Sequence, residues 1–477
     1  VRRALPLVLV ALTACKVGPD YVAPEPVLPE NWNAPAAAAE QELDPRWWTR
    51  FGDPVLEELV GAAFATSLDL RAAAERVREA RAIVDIENDS NYPSVDGRVG
   101  VARRELSTSV AGGQFMPQDP NTLHSLGFDA RWELDLFGHI ARAVEAARAG
   151  HGVALEDARG VLQRLSAEIA RNYAELRGFE RELALVDGTV RLLGDAAGLV
   201  HSRADAGVVD SLDAARADAL LAATQARRPS LARNRAARLH ALAVLIGEFP
   251  SQTAARLEGR DTSPVAPKVI AAGLPLELVR RRPDVRRTER ALAQASALTA
   301  SAMTEVYPRL SLTAALGLES QDITDLFRSD SRAFNVGPRL VGPIFRNRII
   351  EAGIEVRTAQ QQQALIAHEK ALLEALVDVE DALVAFARTQ ERVQALEASV
   401  AAERRAYDLA LDLNTSGLRD YLAVLDVQRS MIAAQTDLTR ARTDHVTAAV
   451  ALYKALGGGW EVEAPALAGA VGAEPAQ

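Results

Sequence analysis

Proline is absent from residues 139–204 and again from 346–414, tracts of 66 and 69 residues in a chain of 477. Proline is the residue that most reliably breaks a helix, and a helix rises about 1.5 Å per residue, so each tract can form a rod of roughly 100 Å. Apolar residues such as Leu396, Val400, Tyr407 and Leu411 recur at helical spacing. Each rod runs to a glycine, Gly207 or Gly417, and a returning segment then leads to Gly247 or Gly457. Two rods joined by a tight turn make a coiled-coil hairpin, which needs neighbours to cover its sides. Length alone suggests about three domains, but rods of this kind do not fit inside ordinary globular ones.

The two rods belong to an internal repeat. Asp69 and Asp284 are 215 residues apart, and the same offset links Tyr92-Pro93 with Tyr307-Pro308. Gly207 to Leu212 matches Gly417 to Leu422 at offset 210, and Leu245-Ile246-Gly247 falls on Ala455-Leu456-Gly457. Four matches in order make the chain a tandem duplication. Each copy is expected to open with a helix, near 55–90 and 284–305, with Asp69 or Asp284 as N-cap. Tyr-Pro then ends that helix, because the residue before proline is pushed out of the α region.

Two alternating segments follow in each copy, expected near 94–104 and 123–136, then 309–319 and 333–342. Leu126, Phe128, Ala130, Trp132 and Leu134 interleave with Asp129, Arg131 and Glu133. Period two with one apolar face is the strand pattern. The pattern suits a soluble sheet or a membrane barrel with lipid outside and water inside. Four strands cannot close a barrel of even the smallest known size, so either they form a small sheet or several chains each contribute four.

Arg2 and Arg3 precede an apolar run to Leu12, and Thr13-Ala14-Cys15 follows. A basic start, a short apolar core and small residues before a cut site describe an export signal. The run is too short to span a bilayer as a helix. Cys15 at the cut gives a bacterial lipoprotein pattern, in which the thiol carries the lipid, and Lys16 in place of Asp points to the outer membrane. Cleavage before Cys15 removes two arginines and moves the formal charge from -10 to -12. Residues 16–45, rich in proline, read as an extended tether.

Several chemistries are excluded. A net charge of -10 argues against a duplex-DNA binder, one cysteine rules out an internal disulfide, and the nearest histidines, His139 and His151, are twelve apart. No catalytic constellation is present. Arg280-Arg281-Arg282 is expected to pair with acids, and Gly457-Gly458-Gly459 to stop a helix rather than cradle a phosphate.

The chain resembles the TolC family of outer membrane factors, in its NodT/OprM-like lipoprotein branch. The motifs that carry the resemblance are Cys15 to Tyr21, Trp47-Trp48 with Phe51-Gly52-Asp53-Pro54, and Trp132 to Gly138. Further motifs are Arg281 to Arg286, Tyr307-Pro308 with Ser311-Leu312-Thr313, and Leu452 to Trp460. The resemblance implies a mainly α fold with a β-barrel part, three protomers giving four strands each to a 12-stranded barrel and long hairpins to a periplasmic tunnel. The divisions are then a signal peptide 1–14, an anchored segment 15–45, repeats 46–260 and 261–460, and a tail 461–477. Function follows as a passive exit duct of a tripartite efflux pump, with no enzymatic activity and no cofactor. Its implied partners are two further copies, a periplasmic adaptor, an inner-membrane RND-type transporter and outer-membrane lipid held through acylated Cys15, with no nucleic acid. The alternatives are a duct for type I protein secretion, or a lipid-anchored scaffold without a pore.

By position in the family, Leu422 and Asp426 would face the tunnel axis as an apolar and an acidic ring at the periplasmic gate, near Arg419. Threefold symmetry would turn one carboxylate into a cluster that repels anions. The first repeat has Leu212 and Arg216 at the equivalent places. One of Arg216, Arg419 or Arg429 is expected to pair with nearby acids in the closed state. The turns Gly207-Val208 and Gly417-Leu418 would dock on the adaptor.

Overall fold

The computed structural model describes residues 16–25, 28–29, 31–33, 44–104, 121–276, 281–345, 347–419, 421–462 and 464–468. The chain divides into two compact units, each drawing on both repeats. One comprises Val1–Glu25, Arg78–Val153 and Thr288–His368, the other Pro26–Val77, Ala154–Arg287 and Glu369–Gln477.

The first unit holds a four-stranded antiparallel sheet in the order β1 (Ser94–Arg104), β2 (Asn121–Leu134), β3 (Arg309–Ser320) and β4 (Arg332–Val341). The register sets Val99 opposite Leu126, Phe128 opposite Leu316, and Leu316 opposite Phe334. Strand side chains alternate faces, so these residues share one apolar face, on which Val99, Phe128, Leu316 and Phe334 are all exposed. The other face carries Asp96, Asp129, Arg131, Thr313 and Asn335, with Arg98 Nε 3.6 Å from Asp129 Oδ2. β1 and β4 are edge strands, and Pro338 in β4 is tolerated there because an edge strand can spare a ladder donor. At the centre, Gly127 opposes Gly317. A Cβ on Gly127 would lie 2.7 Å from the Leu316 carbonyl oxygen, and one on Gly317 would lie 2.6 Å from that of Leu126. β2 stops at Leu134 because Asp135 turns to cap the following helix, accepting from the Ala141 amide at 2.8 Å.

Helices make up most of the rest. The segment expected as one helix near 55–90 is two, α1 (Pro54–Thr66) and α2 (Leu68–Asp89). The chain is extended at Ser67, and the Thr66 hydroxyl donates to the Ile246 carbonyl at 2.6 Å. Asp69 therefore lies in the first turn of α2, not at an N-cap, where it still complements the helix dipole. Asp284 is likewise in the first turn of its helix, which begins at Pro283. The first long tract is α3 (His139–Asp205), unbroken for 67 residues. Its return is broken into α4 (Ser211–Gln225) and α5 (Arg228–Ile246), because Pro229 removes an amide donor and crowds the carbonyl four residues back. After α6 (Pro250–Leu257) and α7 (Pro283–Met303) the second tract forms α8 (Asn347–Thr415), 69 residues, and its return α9 (Tyr421–Ala455) is continuous over 35. Among the described residues no helix is long and apolar enough to cross a membrane.

The second unit contains the main core. Trp47 stacks on Tyr453 with ring centroids 5.2 Å apart, and Trp48 meets Phe64 edge-on. Leu56, Leu59, Ile169, Leu176, Leu242 and Leu452 are fully buried around them. Gly459, at φ +98°, closes this core, since a Cβ there would stand 2.8 Å from the Trp47 indole nitrogen.

Candidate functional site

The two hairpin turns are built alike. Gly207 (φ +71°) and Gly417 (φ +72°) occupy the left-handed region that favours glycine. The Val208 amide donates to the Arg203 carbonyl and the Leu418 amide to the Leu413 carbonyl, both at 2.9 Å, which closes each long helix in the same capping motif. Space does not demand glycine, because a Cβ at either position would meet nothing within 4 Å. Beyond each glycine stands an apolar side chain in the open, Val208 at 71% and Leu418 at 72% exposure. Asp210 starts α4 by accepting from the Leu212 amide at 3.3 Å; its counterpart Asp420 lies outside the described residues.

At the start of α9, Leu422 and Asp426 are four residues apart and therefore share a face. Both are exposed, Leu422 at 41%, and Arg429 continues the stripe. The opposite stripe, Val424, Leu425, Gln428 and Met431, is buried. The helix thus packs one side within the protomer and leaves Leu422-Asp426-Arg429 open. In the first repeat Leu212 and Arg216 are also exposed, but Arg216 is engaged by Asp213 at 3.5 Å on its own helix. Among the described residues Asp426, Arg419 and Arg429 form no ion pair inside the protomer, and the Arg419 carbonyl accepts from Asn414 Nδ2 at 3.0 Å. Cys15 lies outside the described residues.

Two motif residues are tied into the core, Asp53 in a role with no counterpart among the sequence expectations and Arg282 in the acid pairing expected of its basic run. Asp53, 1% exposed, accepts from the Val55 amide, the Tyr173 hydroxyl and the Thr262 hydroxyl, each at 2.9 Å. An Asp directly before a helix-starting proline is an N-cap signature and could have found the first of these bonds, though not the other two. Buried Arg282 donates to Asp284 at 2.7 Å, to Asp378 at 2.9 Å, and to the Ala375 and Ala455 carbonyls. It places a cation at the C-terminal end of α9, where the helix dipole favours one. Arg281 pairs with Glu461 at 2.8 Å, so Arg281 and Arg282 of the basic run meet acids, while Arg280 lies outside the described residues. Burial pushes the Asp284 carboxyl up, but the hydrogen bonds and charge of Arg282 outweigh it and hold the group below the usual range. Trp460 lies beneath two guanidiniums, Arg159 at 5.0 Å and Arg286 at 5.4 Å, which both bind Glu156. Gly457 (φ +80°) ends α9, its amide donating to the Lys454 carbonyl at 3.0 Å.

No cluster of three or more metal-ligating side chains occurs among the described residues. What the geometry offers is exposed apolar side chains at repeated positions, Val208 with Leu418 and Leu212 with Leu422, and in the second repeat alone an exposed acid, Asp426.

Comparison with known proteins agrees in kind. The family described as outer membrane efflux protein matches residues 59–248 and 274–458. The pyoverdine export outer membrane protein OpmQ of Pseudomonas putida is 31% identical over 469 residues, covering 97% of this chain and 98% of its own length. The solvent efflux pump outer membrane protein SrpC of Pseudomonas putida is 30% identical, covering 96% and 99%. The solved outer-membrane channel OprN superposes with a TM-score of 0.85 at 31% identity, covering 94% of this chain and all of that one.

Proposed function

The chain belongs to the outer membrane efflux protein family and is an outer-membrane channel of efflux pumps, not an enzyme; on that premise we propose that it is the passive exit duct of a tripartite pump, completed by two more copies of itself. The observation that carries this reading is the sheet. Its apolar face is exposed, its other face is charged, and among the described residues each edge strand is paired on one side only. An exposed edge is an open template for another chain, and three four-stranded sheets joined edge to edge make twelve strands, enough to close a barrel with lipid outside and water inside.

The remaining parts follow from the same premise. Val208 and Leu418 are the contacts for a periplasmic adaptor, which links the duct to an inner-membrane RND-type transporter. The open stripe of Leu422 and Asp426 supplies an apolar and an acidic ring at the periplasmic gate, with Arg419 beside it. Cys15 carries the lipid that ties the duct to the outer membrane. The duct supplies no energy, and selectivity rests with pump and adaptor. Pyoverdine export by OpmQ and solvent efflux by SrpC favour small-molecule cargo over secreted protein.

Single-channel recording in planar bilayers tests this reading. The full chain is expected to conduct with a preference for cations, and Asp426→Ala to raise conductance and weaken that preference. An unchanged conductance and preference would remove Asp426 from the gate, and no conductance at all would remove the duct. A photo-cross-linker at 208 or 418 should capture the adaptor in cells.

A further inference from the structure

Arg142 is an unusual residue to find buried. It lies one turn into α3, is 1% exposed, and every nitrogen of its guanidinium is used. Nε donates to the Val17 carbonyl at 3.1 Å and one terminal nitrogen donates to the Gly18 carbonyl at 2.8 Å. The other meets Glu145 at 2.8 Å and Asp20 at 3.0 Å. Three of the four acceptors belong to residues 17–20, about 125 positions earlier in the chain. The same segment is held by two further contacts. The Val17 amide donates to the Phe137 carbonyl at 3.2 Å, and Lys16 Nζ reaches Glu145 at 2.7 Å.

The segment is shaped for this seat. Gly18 has φ +87°, and a Cβ on it would lie 2.9 Å from the Ala300 Cβ, so glycine is required by both backbone and space. On the other side Gly138 (φ +81°) lets the Lys16 backbone approach, a Cβ there standing 3.1 Å from Lys16 Cα. Two of the arginine's acceptors are backbone carbonyls, so the guanidinium fixes the path of the chain rather than the identity of its side chains. Only a planar fork with several donors can do this; a lysine offers one point charge. Removal of the segment would leave Glu145 as the guanidinium's side-chain acceptor and strip Nε and one terminal nitrogen of theirs, which is unfavourable.

We propose that Arg142 is a positioning residue that seats residues 16–20 against the turn between β2 and α3, and so delivers the lipid anchor at the helix end of the barrel strands. The proposal rests on the reading of Cys15 as acylated. The seat itself is independent of that reading, and the two are separable by experiment.

Hydrogen–deuterium exchange on the full chain in detergent micelles tests the seat. In the wild type the Val17 amide is protected. In Arg142→Ala the Val17 amide, which donates to the Phe137 carbonyl, should exchange at least about tenfold faster, the loss expected when hydrogen bonds from a charged group to its segment are removed. β1–β4 should keep their protection, and Arg142→Lys should fall between. Gly18→Ala attacks the seat from the opposite side without touching α3, and should loosen the same amide if Arg142→Ala fails to fold. Exchange at the wild-type rate in both variants, or an unprotected Val17 in the wild type, overturns the proposal. Trypsin treatment of membranes then reads its consequence. Cleavage after Lys16 should separate the acyl group from the channel in Arg142→Ala and not in the wild type, and equal cleavage in the two would count against the positioning role. The intact N-terminal mass reports acylation separately, so an unlipidated Cys15 would end the anchor reading while leaving the exchange result to judge the seat.

Discussion

Asp53 shows how much can rest on one carboxylate. Two amides and two hydroxyls converge on it where it is 1% exposed, and it joins the start of α1 to Tyr173 on α3 and to Thr262. Asparagine is nearly the same size but presents an NH2 to one of those donors. Asp53→Asn should therefore destabilise the channel by about 1.5–3 kcal/mol, the usual worth of hydrogen bonds to a charged group, read as a lower midpoint in guanidinium unfolding. Arg282 and Asp284 give a pH signature of opposite accessibility, since Asp284 is partly open to solvent. Its folded carboxyl titrates below the ordinary aspartate range despite the burial that pushes it up, because Arg282 favours the charged form. The stabilisation it contributes is complete above the unfolded value of roughly 3.9 and is lost as pH falls through the lower folded one. Unfolding free energy against pH should decline in that acid window, and the slope should flatten in Asp284→Asn. An identical slope in the variant would mean that other carboxylates govern acid stability.

At the scale of elements, β2 and β3 carry the joint between the two repeats. Gly127 and Gly317 allow their backbones to approach more closely than any side chain permits. Gly127→Val should force these strands apart at a cost of about 1–3 kcal/mol, as other overpacked sites do, and should reduce the yield of folded protein in outer-membrane fractions without changing the helical circular dichroism. Gly207→Ala should cost about 1–2 kcal/mol, the left-handed penalty for an L-residue, since a Cβ there meets no neighbour. The elements also show what was legible in the sequence. Period-two patterning revealed the four strands because each has one apolar and one polar face, and proline-free tracts revealed α3 and α8. Pro229 breaks the first return by the same rule. The bend at Ser67 carries no proline or glycine; a tertiary contact, Thr66 with Ile246, accompanies it, and no local pattern encodes that. Of the candidate sites, the glycine turns were visible from residue type alone. The seat around Arg142 was not, because its partners are 124 and 125 positions away.

For the whole molecule, the proposed assembly answers a problem posed by the protomer's sheet. An apolar face in the open and two unpaired edges would invite uncontrolled strand pairing if nothing covered them, and natural sheets of that description are short, charged or capped. Here both edges carry exposed apolar residues, Val95, Val99 and Val101 on β1 and Phe334, Val336 and Leu340 on β4. In the proposed assembly, edge-to-edge closure would satisfy the backbone groups of β1 and β4 together, and lipid would cover the apolar face. Charge on the opposite face is accepted only if that face is wet, which closure also provides. The number of copies is bounded by geometry: two sheets give eight strands, the smallest known barrel, and three give twelve, with room for a lumen. Native mass spectrometry of the detergent-solubilised full chain should therefore find three copies. Cysteines placed on β1 and β4 should cross-link between copies and not within one. A monomer that conducts, or β1–β4 links confined to a single chain, would overturn the closed barrel and with it the origin of the pore.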